Sequence, residues 1–453
     1  MKKLCLFLII SKLAFAQTIS FEEALNQTIE NSKDLQKQKI NIDIAKTNSD
    51  FIDGVNFGKV SLNSDISRTN HSGYVFMGKL SNRDATFRDF GFIENTGNTN
   101  DIIDIAPKDL NYPDSYTSIN SYISYDLPLF TGFALYHQKG ILKLQEKANE
   151  ILYNLDKKTL EFEVLKAYNS AVLAKDFVKT MQKAKDTIGF IKNGAKEFHK
   201  NGLVTKIDVN EAELYFLNTN SNLIEAENNF KLSLAYLKFL TSNDNISDVE
   251  NLQNTYLEIK EFEDLYKIAL KNRDEITLQN ISIEANNKNI KANQGSYYPS
   301  IFTHLEYGYN DDKFSTSKDK DYYLALLGIS LTLFDGTRSA KVEKSRLEYL
   351  KAKLDFEKLQ DGIKLEVQKA ILDYKAKQEI LKEKILASEL ASSVLNQAKL
   401  QYKNRLISMT TLLSQETNYR QSQTMLLNAK YENSLALARL NLVLGQNLQK
   451  DYK

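Results

Sequence analysis

Hydrophobic residues between positions 331 and 445 follow a helical period over most of that stretch. A short alternating run is followed by one helical pattern to about Tyr402, a turn at Asn404-Arg405, and a return helix to Leu444. The first helix has about 65 residues, on the order of 100 Å at 1.5 Å per residue. Its apolar stripe has heptad spacing with one polar step, at Val367, Tyr374, Leu381, Ser388, Leu395 and Tyr402. A seven-residue repeat keeps one helix face against partners and predicts coiled-coil packing.

The same pattern occurs earlier in the chain, so the sequence is an internal duplication. An offset of 204 residues places Asp126–Gly132 on Ser330–Gly336, and an offset of 203 places Lys200–Leu203 on Lys403–Leu406. A helix is predicted from Ser20 to about Phe51, and Ser20 and Glu23 form a capping box at its start. At an offset of about 241 residues it aligns with a helix predicted from Phe262 to about Gln294. In each repeat the pattern therefore predicts a helix, two strands, a long helix and a return helix, in that order.

Four segments between the helices alternate apolar and polar residues, which predicts strands with one apolar face. The apolar sets are Val60, Leu62, Ile66; Ile119, Ile123, Tyr125, Leu127, Leu129; Ile301, Thr303, Leu305, Tyr307, Tyr309; and Tyr323, Ala325, Leu327, Ile329, Leu331, Leu333. Segments of this length can cross a bilayer, and the pattern is that of a membrane β-barrel wall. The alternative is a soluble sheet packed on a core. Four strands cannot close a barrel, so copies of the chain would have to pool their strands.

The predicted organisation has five parts. They are a signal peptide over 1–16, a first repeat over 17–241 with a long loop at 70–114, a linker over 242–261, a second repeat over 262–445, and a short tail over 446–453. The linker is expected to cross the outside of the helical arms. The loop at 70–114 is a candidate external lid, because loops of this length are usually functional or disordered.

The first residues have the basic, apolar and small-residue regions of a secretory signal peptide. Cleavage near Ala16 would remove the single cysteine, Cys5. No cysteine follows the small-residue site, so a lipid anchor there is not expected. No later stretch reaches the roughly 18 continuous apolar residues of a membrane helix, so entry into a membrane would have to use strands.

Composition excludes several classes of function. The formal net charge is +1 with 26% charged residues, which does not suggest a nucleic-acid surface. The four histidines stand far apart, without metal-ligand spacing, at His71, His137, His199 and His304. No phosphate-binding loop, thiol site or paired acid and base is present. The sequence predicts no catalytic residue, no metal and no cofactor.

The duplication, two strand-to-helix junctions and one helical turn resemble the outer-membrane efflux protein family, the TolC-like channels. The junctions are Pro128–Gly132 and Leu333–Gly336, and the turn is Gly202–Asp208. The resemblance covers essentially the whole mature chain and implies a mainly α fold with a membrane β-barrel portion. It implies a homotrimer in the outer membrane with a long α-helical tunnel in the periplasm. A periplasmic adaptor and an inner-membrane transporter would be its partners.

The two helical turns are the predicted docking surface and gate. The docking residues are Gly202, Leu203, Val204, Thr205 and Asp208 in the first turn, and Arg405, Leu406, Ile407 and Ser408 in the second. We expect Gly202 to relieve a tight backbone where a side chain would clash, and apolar side chains at the tips to be exposed to a partner. Alternatively, these side chains staple each turn to its own helices.

The resemblance also identifies a periplasmic constriction, with departures from the family pattern. The family's usual glycine at the second turn is replaced by Arg405, and the usual acidic residues are replaced by Thr411 and Ser414. The first turn keeps Asp208 and adds Glu211. A strongly cation-binding ring formed by the second turn is therefore not expected. The principal functional hypothesis is a passive export duct, and the alternative is a coiled-coil spacer or surface adhesin anchored by its strands.

Overall fold

The computed structural model describes residues 17–92, 105–251 and 261–446. The predicted signal peptide lies outside the described residues, as do 93–104 of the long loop, 252–260 of the linker and 447–453 of the tail. The chain divides into two compact units. The first comprises Met1–Ile42, Lys147–Asn280 and Lys353–Lys453, and the second comprises Asp43–Glu146 and Ile281–Ala352.

Helices account for most of the described residues. They are α1 (Phe21–Asn31), α2 (Lys33–Asn56), α3 (Ser72–Ser81), α4 (Lys108–Asn111), α5 (Ala134–Lys200), α6 (Lys206–Thr241), α7 (Phe262–Asn272), α8 (Asp274–Gln294), α9 (Arg338–Lys403) and α10 (Met409–Val443). The strands are β1 (Gln17–Ile19), β2 (Lys59–Thr69), β3 (Tyr116–Thr131), β4 (Ile246–Val249), β5 (Ser300–Asp311) and β6 (Asp321–Ser330). No described helix contains a stretch long and apolar enough to cross a lipid bilayer.

The predicted heptad stripe of α9 is largely buried in the first unit. Val367, Tyr374 and Leu395 are at most 4% exposed, and Ser388, the polar step, is 3% exposed. Val367 and Tyr374 pack with α7 and α10, whereas Leu395 lies in a separate cluster with residues of α5, α6 and α10. Burying such stripes stabilises long helices that intrinsic propensity alone would not.

A short parallel sheet that the sequence did not predict fastens the ends of the first repeat. β1 pairs with β4, which lies inside the predicted linker. The Tyr168 hydroxyl on α5 lies 2.9 Å from the carbonyl oxygen of Ile19 and 3.0 Å from that of Glu250. The Lys175 ammonium donates to the Val249 carbonyl at 2.6 Å. Three- and four-residue strands have too little pattern to be recognised, and their pairing depends on contacts distant in sequence.

The second unit contains a four-stranded antiparallel sheet in the order β2-β3-β5-β6. Its register places the predicted apolar residues in cross-strand rows, for example Leu62, Ile123, Tyr307 and Tyr323. Leu62 and Tyr323 are 79% and 84% exposed. The opposite face carries polar rows such as Lys59, Asp126 and His304. The His304 ring lies 2.6 Å from a carboxylate oxygen of Asp126 and links the two hairpins.

Two details of the predicted elements are wrong. β6 ends at Ser330, so Leu331 and Leu333 follow the strand instead of extending it. The first helix is broken at Ser32, whose ψ of 117° is not helical, and Arg273 breaks the second repeat in the same way with ψ of 125°. These positions are 241 residues apart, the offset predicted for this part of the duplication. The long loop contains two helices, α3 and α4.

Candidate docking site at the two helical turns

The first turn joins α5 to α6 through a left-handed residue. Gly202 has φ of +68°, and its amide donates to the carbonyl of His199 at 2.9 Å. The Leu203 amide donates to the carbonyl of Phe198 at 2.8 Å. These two bonds satisfy carbonyls that the end of a helix would otherwise leave unpaired. The His199 ring lies with Nδ1 3.0 Å from the Val204 carbonyl oxygen, which fixes the turn.

The second turn repeats this geometry 203 residues later. The Arg405 amide donates to the carbonyl of Tyr402 at 2.9 Å, and the Leu406 amide to that of Gln401 at 2.9 Å. Arg405 therefore occupies the position of Gly202, with φ of +61°. A left-handed conformation costs an L-residue with a side chain about 1 to 2 kcal/mol, so the second turn is the more strained.

The predicted reason for a glycine at position 202 is incorrect. A Cβ atom built at Gly202 would have no heavy atom within 4 Å. No steric clash therefore excludes a side chain, and Arg405 accommodates one at the equivalent position. The glycine is favourable because of its positive φ alone.

Each return helix begins at a side-chain cap. Thr205 caps α6, with the Asp208 amide 3.3 Å from its Oγ1, and the Asp208 carboxylate accepts from the Thr205 amide at 2.8 Å. Ser408 caps α10 by accepting from the Thr411 amide at 3.1 Å. Because Thr411 replaces the acidic residue of the first turn, the second cap lacks the reciprocal carboxylate and the negative charge at a helix N-terminus.

The apolar residues of the turns divide into exposed and packed sets. Leu203 and Leu406 are 41% and 72% exposed, and the neighbouring Ile207 is 69% exposed. Ile407 is half-buried and packs on the cluster beneath the turns, and Val204 is also half-buried. Ile407 staples its turn, whereas Leu203 and Leu406 present apolar surface to solvent. The role of the two exposed leucines in docking stays a prediction.

The structure brings the two turns together in the first unit. Beneath them lies a buried cluster contributed by all four long helices: Ile188, Ile191, Ala195, Val209, Ala212, Leu395, Ala398, Met409, Leu412 and Leu413. The rings of Phe198 and Tyr402 pack with their centroids 6.1 Å apart. The Thr410 hydroxyl donates to a carboxylate oxygen of Glu211 at 3.0 Å, which links α10 to α6 directly.

Of the four predicted constriction residues, three have local partners. Asp208 caps α6, Glu211 accepts from Thr410, and the Thr411 hydroxyl lies 2.9 Å from that of Ser408. Ser414 is exposed. Each of the two carboxylates therefore accepts hydrogen bonds from within the tip. Their role in a constriction stays a prediction.

Sequence reasoning missed the buried charge of this region. Glu416 on α10 is 2% exposed, and its Oε2 atom lies 3.6 Å from Nε of Arg420 one turn later. Burial raises the pKa of Glu416, opposed by the Arg420 and Lys399 charges. The duplication offered a signal, since an offset of 203 places Glu416 on Glu213 and Lys399 on Lys196. The hydroxyl of Tyr402 is also buried without a hydrogen-bond partner among the described residues.

Comparisons with known proteins agree with this architecture. Residues 265–446 match the family model described as Outer membrane efflux protein. No curated protein sequence is significantly similar to the chain. Among solved structures, CusC aligns with a TM-score of 0.77 at 13% identity, over 95% of this chain and 93% of that one. The CmeC outer membrane channel of Campylobacter jejuni gives a TM-score of 0.74 at 15% identity, over 94% and 85% of the two chains. VceC, an outer membrane protein of Vibrio cholerae, gives 0.74 at 14% identity, over 94% and 96%.

The family match covers the second repeat, and the structural matches extend the likeness across the first. At these identities the structural matches establish the fold. Residues 265–446 of this chain therefore match the outer membrane efflux protein family, and the whole described chain has the fold of the TolC-like outer-membrane channels.

Proposed function

We propose that three copies of this chain form a passive duct through which small molecules or proteins leave the cell. The observation that supports this most is the sheet of the second unit. One of its faces is apolar and exposed, the other carries the polar rows, and each edge strand, β2 or β6, has a single partner among the described residues. Backbone groups along an open edge cannot be left unpaired in lipid, so further strands must complete the sheet.

Copies of the same chain supply those strands most simply. Pairing β2 of one copy with β6 of the next is a head-to-tail contact, which closes into a ring when the rotation allows it. Three copies contribute four strands each, more than the about eight that the smallest barrels need. The polar face would then line a water-filled passage and the apolar face would meet lipid.

The duct would be driven by partners that dock at the helical turns. Leu203, Ile207 and Leu406 expose apolar side chains where the long helices reverse direction. An exposed apolar patch of this kind usually marks an interface. The proposed partners are a periplasmic adaptor and, through it or beside it, an inner-membrane transporter.

Single-channel recording in planar bilayers tests the duct. Purified protein with a detergent-corrected mass near three chains should give stepwise conductance. A single-chain particle that gives no steps would contradict the proposal and favour a spacer or adhesin.

Docking is tested separately, with a photo-crosslinking residue at Leu406 in living cells. The expected product is a complex with a periplasmic adaptor, identified by mass spectrometry. The matched control is Leu232 on α6, which is 68% exposed but distant in sequence from either turn. Equal crosslinking at both positions, or none at Leu406, would count against docking at the turns.

A further inference from the structure

The segment that follows β2 folds over the polar face of the sheet. α3 packs on the first residues of β3, so that a Cβ atom added at Gly78 would lie 3.3 Å from the Tyr116 ring. Ser118 is the cross-strand partner of Ser67, and both belong to the polar rows. The Tyr116 side chain lies on that same face, since it is two residues from Ser118. α3 therefore covers the polar face at the end of the sheet where the loops lie.

Asn82, directly after α3, holds this arrangement in place. It is fully buried, and its amide nitrogen donates to the Tyr116 hydroxyl at 2.8 Å. Its amide oxygen lies 3.2 Å from the Ser118 hydroxyl, which is also 3.2 Å from the amide oxygen of Asn310 on β5. Tyr116 in turn donates to the carboxylate of Asp84 at 3.0 Å. A buried polar side chain with both ends bonded fixes one conformation.

The next residue reaches the second hairpin. The Arg83 guanidinium donates to the carbonyls of Asp319 and Asp321, each at 2.7 Å. Arg83 adopts φ of +58°, an unfavourable conformation for arginine that these two bonds help to offset. Lys320, in the second hairpin, also contacts the segment, because its ammonium group donates to the Asn82 carbonyl and the Asp84 carboxylate. The segment is thereby attached to β3 on one side and to the turn between β5 and β6 on the other.

The segment is a folded body with an apolar exposed surface. Lys79 and Asp89 form a half-buried ion pair inside it, and the rings of Phe76 and Phe90 pack at 5.3 Å. Its exposed side chains are large and apolar for a loop: Tyr74, Met77 and Phe87 are 70%, 60% and 77% exposed. A folded body held over the polar face narrows any passage along that face, and apolar side chains make the wetting of a narrow passage unfavourable.

We propose that residues 72–92, here called the strap, form a size-selecting constriction at the loop end of the polar face. The inference rests on the proposed function, because the polar face lines a passage only if copies of the chain close the sheet. Arg83 and Lys320 hold the strap across the face, and release of these anchors widens the passage. The strap thus sets the largest solute that leaves the duct.

Cysteine accessibility from outside intact cells tests this inference. Cys5 is the single cysteine of the sequence, so a Ser61→Cys substitution adds one site on the polar face. The probes are two membrane-impermeant maleimides, one small and one carrying a bulky polymer. In the strap-release variant, Arg83→Gln with Lys320→Gln, labelling by the bulky probe should rise about tenfold, and labelling by the small probe should change little. Should the double variant fail to reach the membrane, each single variant removes one anchor and is tested alone.

Two controls separate the possible failures. Arg88→Gln changes an exposed arginine of the strap that has no hydrogen bond or ion pair with the second hairpin among the described residues, and it should leave both rates unchanged. Leu62→Cys places the thiol on the apolar face of the same strand, where aqueous probes should label it poorly. Fast labelling at Leu62→Cys but not at Ser61→Cys would refute the duct itself. Equal bulky-probe rates in the parent and the strap-release variant, with Ser61→Cys accessible, would overturn only the strap.

Discussion

Glu213 and Glu416 occupy the same position in the two repeats, 203 residues apart, yet their surroundings are opposite. The Glu213 carboxylate lies at the surface, 3.0 Å from the Lys196 ammonium and 3.5 Å from that of Lys192. Hydrogen bonding from Lys196, with the charge of Lys192, lowers the pKa of Glu213. Glu416 is buried, and burial raises its pKa. The two repeats therefore have the same residue type at this position, but the tertiary structure shifts the pKa of the two glutamates in opposite directions.

This difference predicts opposite effects of pH in two matched variants. A group whose pKa is raised on folding stabilises the folded state at low pH and loses that contribution as pH rises through the raised pKa. Glu416→Gln should therefore gain stability relative to the parent as the pH rises above the ordinary glutamate value of 4.5. Thermal unfolding midpoints across pH 4 to 8 give the comparison. A difference that does not change with pH would contradict the assignment.

Glu213→Gln is the control, and its stability relative to the parent should change with pH in the opposite direction. A group whose pKa is lowered stabilises the folded state above its ordinary pKa and loses that contribution as pH falls through the lowered value. Glu213→Gln should therefore match the parent most closely in acid and fall below it near neutral pH. The effect should be small and should weaken in high salt, because the pair is exposed.

The two turns predict opposite effects of exchanging their left-handed residues. Gly202→Ala should destabilise the first turn by about 1 kcal/mol, through the cost of a positive φ for alanine. Arg405→Gly should stabilise the second turn, by up to about 1 kcal/mol, since it removes the same cost. Hydrogen exchange of peptides that contain each turn measures the local change.

Gly194→Ala provides the control for these exchanges. Gly194 lies within α5, and a Cβ atom there would meet nothing within 4 Å. Alanine is favoured over glycine in a helix interior by about 0.5 to 1 kcal/mol. The amides of this variant should therefore exchange hydrogen more slowly than those of the parent. A destabilised Gly194→Ala would mean that backbone preference does not govern these positions.

The apolar and polar faces of the sheet predict different tolerance of charge at two adjacent leucines. Leu327 lies in an apolar row and is 65% exposed, whereas Leu326 lies on the opposite face, paired with His304. Leu327→Arg should cost about 2 to 4 kcal/mol if the site is near the bilayer midplane, and Leu326→Arg much less. Denaturant-induced unfolding in lipid vesicles measures both. Equal costs would argue against a lipid-facing apolar row.

The exposed leucines of the turns predict a loss of export without a loss of fold. Leu203→Lys with Leu406→Lys should abolish export while trimer yield is unchanged, because neither side chain belongs to the cluster beneath the turns. Leu412→Lys, at a position only 1% exposed, should instead reduce the yield, because it buries a charge. Resistance or secretion assays and trimer quantification give the two readouts. Export that survives the double substitution would place docking elsewhere.

The sequence by itself determined features that depend on local pattern. Ser20 and Glu23 form the predicted capping box, and the alternation over β2, β3, β5 and β6 fixes which residues share a face. The offset of 203 likewise anticipates that Arg405 takes the backbone position of Gly202. These inferences succeed because caps, pleats and heptads involve residues that are close in sequence.

Only the tertiary structure decided the features that depend on contacts between distant residues. Whether a glutamate at a repeated position is solvated or buried depends on which helices surround it, as Glu213 and Glu416 show. Arg83 bonds to carbonyls more than 230 residues away, and β1 pairs with a strand of the predicted linker. No local period encodes such pairings, because burial and long-range hydrogen bonding are set by packing of the whole chain.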